Sequence, residues 1–167
     1  MKDIIFTELR SIYQEMTPEQ ETAAARPAAH CIGMLEEFSN IQRRKGLLAL
    51  DGYVQHYDDF LSRMAVHLGN GTDWEEVENI GLAEYFSRHL KKSPVDRLMT
   101  LISLAGLELF IQNANPHILE EHLLAMSPEG TEKLVDEEFQ KSKSELAVRL
   151  EKFKKETENL GEFGQVF

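Results

Sequence analysis

Four of the five prolines stand directly behind a residue that caps helices, and this constrains the fold more than any other feature of the chain. The pairs are Thr17-Pro18, Ser93-Pro94, Asn115-Pro116 and Ser127-Pro128. A Ser, Thr or Asn side chain at the N-cap accepts an orphaned N–H of the first turn. Proline at the next position lacks the N–H that would be orphaned there anyway. Each pair therefore reads as a helix start. Thr17-Pro-Glu-Gln20 continues as a capping box and Ser93-Pro-Val-Asp96 as a close variant. Asp73-Trp-Glu-Glu76 is a further start, with acids in the first turn that suit the helix dipole. No segment alternates β-branched or aromatic residues as a half-buried strand would.

The spacing predicts helices over 3–16, 18–25, 27–45, 47–57, 59–69, 73–91, 94–113, 116–126 and 128–160. The fold class is all-α: a bundle of short helices around a central apolar helix, with a long amphipathic helix at the C-terminus. Residues 1–130 form the bundle, and 131–167 form the long helix and a short tail, within or projecting from the same domain. The central helix is 94–113, apolar on most faces through Leu98, Ile102, Leu104, Leu107 and Phe110; a helix apolar all round belongs inside a bundle. The last helix carries one stripe: Val135, Phe139, Leu146, Leu150, Phe153 and Leu160. Such a stripe packs along its own bundle or forms a seam with another chain. The expectation is a seam between two copies at Phe139, Leu146, Leu150 and Phe153, with the apolar Phe163 and Phe167 beyond it.

Charge and cysteine content remove several classes. Eighteen Lys and Arg against 29 Asp and Glu leave a net charge of −11. Nucleic acid and anionic membrane would both repel such a chain. A single cysteine, Cys31, excludes an internal disulfide and a cysteine-based zinc site within one chain. No basic start with an apolar run behind it is present, and the richest apolar stretch, 98–111, is too short to span a bilayer. These features predict a cytoplasmic protein with no membrane span.

Catalytic patterns fail on spacing. His117-Ile-Leu-Glu-Glu-His122 looks like a zinc box, but zinc boxes place histidines four apart on one helix face. Five apart, they diverge by about 140° on an α-helix. His30 and Cys31 are neighbours in sequence, and helix neighbours do not face each other. Cys31 reads as a small core residue and Trp74 as a packing anchor. No phosphate-binding glycine loop and no G-x-S-x-G is present. The expectation is no catalytic residue, no metal and no cofactor.

Three segments, in order, resemble the cytoplasmic region of the flagellar motor stator A subunit (MotA) family. Ile41-Gln-Arg-Arg-Lys-Gly-Leu-Leu-Ala-Leu-Asp51 is similar to its R-x-x-G-L-L-A-L-[ED] stretch. The segment from Asp58-Asp-Phe-Leu61 to Gly71-Thr-Asp-Trp-Glu-Glu-Val77 is similar to the short helix and Asp-Gly-Thr-Asp turn that follow. Gly106 to Leu123, with Asn115-Pro116, is similar to the segment behind the last membrane span. Only residues 81–105 lie where the family has two membrane helices, so the resemblance implies a relative without the channel. Lys45 and His117 also depart from the family pattern.

By this resemblance, a protein partner of the rotor type is contacted through a basic and an acidic position, which fall on Arg43 and Asp51, with Arg44 beside them. On an uninterrupted helix, residues eight apart lie about 80° from each other and border one surface. The implied function is a non-catalytic protein–protein interaction module connected with the flagellar motor. Two other readings stand beside it: a homodimeric helical scaffold unrelated to motility, and a helical enzyme whose site joins residues distant in sequence.

Overall fold

The computed structural model describes residues 2–166 of the backbone and side chains up to residue 160. Eight α-helices run in order: α1 (Lys2–Glu15), α2 (Pro18–Lys45), α3 (Asp51–Val54), α4 (Phe60–Gly69), α5 (Trp74–Glu84), α6 (Pro94–Ile111), α7 (Pro116–Met126) and α8 (Val135–Val166). Short 3₁₀ turns cover Leu47–Leu50 and Thr131–Lys133, and Tyr85–His89 is a π-turn. No strand occurs among the described residues.

Three of the four predicted proline caps close helices; Ser127 does not, for it ends α7 with its hydroxyl donating back to the Leu123 carbonyl at 2.6 Å, and the helix expected from 128 begins only at Val135, after the 3₁₀ turn. Thr17 accepts from the Gln20 amide and Gln20 returns the bond, Ser93 accepts from Asp96, and Asn115 accepts from His117 at 2.9 Å. Asp73 sits at the α5 N-cap but makes no side-chain bond there; the bond forms instead at α4, where Asp59 accepts from the Ser62 amide at 3.0 Å.

Pro27 does not end a helix. It lies inside α2, which runs unbroken for 28 residues. Proline there removes one main-chain hydrogen bond, but buried Ala24, Ala25, Ala28 and Ala29 flank it and pack the helix in place. Gly46 breaks the chain between the segments expected over 27–45 and 47–57, rather than leaving one helix through Asp51: φ is +89°, a conformation glycine adopts without a Cβ penalty. The helix expected over 47–57 is a 3₁₀ turn followed by the four-residue α3.

Two helices, not one, form the centre. α6 is buried as expected, and α2 is buried without interruption from Cys31 to Ser39. α2 makes its most extensive contacts with α8 and α6. Close approach to α8 depends on Gly33, because a Cβ there would lie 2.9 Å from the Phe139 Cα. α1 is tied across the bundle: the Tyr85 hydroxyl donates to Glu8 at 3.0 Å, Arg97 pairs with Glu15, and the Tyr13 hydroxyl donates to the Met126 carbonyl at 2.6 Å.

The C-terminal stripe is occupied by its own chain. Val135 and Leu146 are buried, Leu150 packs against the core, and Phe139 and Phe153 are half-buried. Their neighbours are α2 and α3, with Gly52 beside Leu150 and Phe153. The stripe expected to form a seam between copies at Phe139, Leu146, Leu150 and Phe153 instead packs on α2 and α3 of its own chain, where Gly33 and Gly52 let it approach. Leu160 lies beyond this contact and is 73% exposed. The side chains of Phe163 and Phe167 lie outside the described residues.

Candidate functional site

The basic turn at the end of α2 holds its three cations in three different ways. Lys45 Nζ donates to the Tyr53 hydroxyl at 2.9 Å and sits 5.4 Å from the centre of that ring. Arg44 Nε donates to the Asn40 carbonyl, and its guanidinium stands 3.7 Å from Glu37. Arg43 is exposed and makes no hydrogen bond or ion pair among the described residues. Two residues past Gly46, Leu48 is 70% exposed. Asp51 does not share a helix face with Arg43, as the uninterrupted-helix expectation required. α2 stops at Lys45, and Asp51 opens α3 with its Oδ1 buried and unpaired.

A second set of polar groups gathers where the sequence offered no motif. A cleft of about 590 Å³ opens between α2, the start of α4, the π-turn, α6 and α8. Its walls include His30, Cys31, Asp58, Asp59, Arg63, His89, Asp96, Thr100, Ser103 and Arg149. The π-turn builds one wall. The Leu90 amide bonds to the Tyr85 carbonyl five residues back at 3.1 Å, which is the π repeat. That wider turn brings Glu84 and His89, also five apart, within 3.3 Å of each other. On an α-helix they would diverge. The other ring nitrogen of His89 is 2.8 Å from the Thr100 hydroxyl, and the ring meets Phe60 edge-on.

Glu84 accepts both arms of the Arg63 guanidinium, at 2.7 and 2.9 Å. These bonds hold its carboxyl below the usual carboxylate range, against the opposing effect of its burial. Burial lowers the His89 pKa, and nearby Lys92 adds to this, outweighing the attraction of Glu84. The histidine is therefore a neutral hydrogen-bonding link at neutral pH. On the opposite wall, Arg149 is buried; it donates to Ser62 at 3.1 Å and to Glu145 at 2.8 Å, and lies 3.9 Å over the Tyr57 ring. His30 bridges Glu138 at 3.3 Å and Glu145 at 3.5 Å, which ties α2 to α8 at the cleft edge.

Cys31 contacts the Ser103 hydroxyl at 3.4 Å, and burial pushes its thiol up to about 11. A thiol so protonated is not a nucleophile, which agrees with its reading as a core residue. Trp74 is partly buried against the core, as an anchor would be, though its indole N–H finds no partner. His117 pairs with Glu121 at 3.5 Å on an exposed face. Among the described residues, no group of three or more His, Cys, Asp and Glu is arranged to hold a metal ion. No described helix is long and apolar enough to cross a membrane.

These features define an all-α multi-helix protein with a basic turn in which Arg43 alone is unengaged, and a separate polar cleft. Comparison with family models, with curated proteins and with solved structures gave no match, so the functional reading rests on the chain's own residues.

Proposed function

We propose that the chain is a non-catalytic protein-interaction module of the cytoplasm, and that the turn from Arg43 to Leu48 engages an acidic surface of a partner protein. The observation that carries this is the state of Arg43: a guanidinium left unpaired in a chain of net charge −11, beside a leucine that is 70% exposed. Six of the eight arginines pair with acids of the chain, as Arg63 does with Glu84; Arg43 and Arg10 do not among the described residues, and only Arg43 stands in a cationic turn beside an exposed leucine. An exposed charge next to an exposed apolar side chain suits an interface rim, where charge sets orientation and encounter rate more than affinity. The same segment carries the resemblance to the stator A subunit's cytoplasmic region, so the partner favoured by this reading is a rotor-type flagellar protein.

The test is calorimetric titration of a purified rotor-type protein with the wild-type chain and with Arg43→Glu. The variant is expected to melt like wild type, to bind about tenfold more weakly, and to regain affinity with a charge-reversed partner. An unchanged affinity, or an unfolded variant, would contradict the proposal.

A further inference from the structure

One carboxyl buried on α2 is left without a donor. Glu36 is only 8% exposed, and its Oε1 is shut off from solvent with no hydrogen bond among the described residues. A buried polar group in that state costs free energy unless something satisfies it. Its surroundings supply acids. α7 presents Glu120 within hydrogen-bonding reach of it, and α8 adds the charge of Asp136. The cations on the elements around it are engaged elsewhere: Arg44 with Glu37, Arg97 with Glu15, Lys141 with Glu137 and Glu138, and Arg149 with Glu145. Lys133, in the 3₁₀ turn, is exposed and makes no ion pair with it among the described residues. The other acids nearby are also spoken for: Glu108 of α6 faces Glu78 and Lys2, and Glu121 of α7 pairs with His117.

Two ionised carboxylates can only accept, so facing each other out of water they repel and satisfy nothing. One proton between them turns one into a donor and the other into its acceptor. Burial raises the pKa of Glu36 well above the usual carboxylate range, and the hydrogen bond and charge of Glu120 raise it further, so that proton is kept at neutral pH. The pair stands at the seat of α7. The buried residues of α7 are Leu119 and Leu123. Leu123 reaches the space left by Gly106 on α6, where an added Cβ would collide with Leu35 and touch Leu123. Leu35 precedes Glu36, so the seat and the carboxyl pair belong to one turn of α2. A helix held by few buried side chains opens at a fraction of the global unfolding free energy. We propose that the Glu36–Glu120 pair is a proton-controlled latch: with the shared proton in place α7 stays docked on α2 and α6, and loss of that proton to solvent sets two like charges against each other and releases α7, uncovering the leucine seat at Gly106. The latch shares no residue with the basic turn, so it goes beyond the interaction reading and stands or falls without it.

The test follows the Glu36 carboxyl carbon and the methyl groups of Leu119 and Leu123 by NMR in the full-length chain, from about pH 4 to about pH 10. The carboxyl is expected to titrate above about pH 7, against about 4.3 for an ordinary glutamate. The Leu119 and Leu123 methyls should leave their packed positions at the same midpoint, while those of Leu98 and Leu101 in α6 stay. In Glu36→Gln, whose amide donates to Glu120 without a titrating proton, both α7 leucines should stay packed across the range. Glu120→Gln reads the pair without altering α2: it should lower the Glu36 midpoint by about one pH unit or more. The proposal is overturned if Glu36 titrates as an ordinary glutamate, or if the α7 leucines stay packed throughout in wild type. It is equally overturned if Leu98 and Leu101 move with them, if the leucines of folded Glu36→Gln shift as in wild type, or if Glu120→Gln leaves the Glu36 midpoint unchanged.

Discussion

Arg43 and Arg149 carry the same charge at two places in the fold and are held in opposite ways. Arg149 is buried, bonded to Ser62 and Glu145 and stacked on Tyr57; Arg43 is exposed and bonded to nothing among the described residues. A buried cation must be satisfied within the fold, because leaving it unpaired costs several kcal/mol. An exposed one is solvated and costs almost nothing to leave free. The difference separates structural charge from charge available to a partner, and it cannot be read from residue type.

The comparison predicts a hierarchy of effects. The seam that carries Arg149 to the cleft depends on Gly33, so Gly33→Ala is the largest perturbation. Its Cβ would meet the Phe139 backbone, which cannot rotate away as a side chain can. A loss of about 3 kcal/mol is expected, read as a fall in melting temperature of roughly 6–12 °C. A wild-type melt in Gly33→Ala would show that α8 does not seat tightly on α2. Arg149→Ala should follow at about 2 kcal/mol, because it strips Ser62 and Glu145 of their partner; chemical denaturation measures it.

Smaller still is a pH effect at the π-turn. His89 has a folded pKa below its unfolded value, so the unfolded chain takes up the proton more readily. Stability from this residue is complete above about pH 6.5 and is lost as pH falls below it. Glu84, also lowered, adds a loss in the same direction below about pH 4.5. Glu36, buried and raised to about 9, acts in the opposite sense over this window, so the His89 contribution is read as a difference: between pH 7.5 and 5.5 the stability of wild type relative to His89→Gln should fall. Equal slopes would place the pH dependence elsewhere. The smallest effect is at a cap distant from both sites: Asn115→Ala should cost about 1 kcal/mol by denaturant titration.

What the sequence disclosed was local. Thr17, Ser93 and Asn115 cap helices through bonds to residues two or three away, so short motifs suffice to find them. The apolar character of α6 is equally local. What it hid depends on partners. Pro27 looks like a terminus, yet the buried alanines around it hold α2 together. Periodicity identified the stripe on α8 but not its receiver, which is α2 and α3 of the same chain. Glu36 and Glu37 interrupt the apolar pattern of α2, although both are buried.

The cleft was hidden for a different reason. Spacing of five residues rejects His117 and His122 as a facing pair, correctly for the α-helix that carries them. The same spacing is what joins Glu84 to His89, because those residues lie across a π-turn. No residue pattern in this chain marks that turn in advance. Arg63, Arg149, Thr100 and Glu84 then converge from four helices, a juxtaposition only the tertiary fold supplies.

The most direct test of the distinction between free and engaged charge is a paired melt of Arg43→Glu and Arg149→Glu in the same buffer. Arg43→Glu should stay within about 0.5 kcal/mol of wild type, as surface substitutions do. Arg149→Glu should lose several kcal/mol, because it places a carboxylate beside Glu145 and Asp59 in a buried site. Comparable losses in both variants, or a stable Arg149→Glu, would contradict the assignment of Arg43 as the surface cation and Arg149 as the structural one.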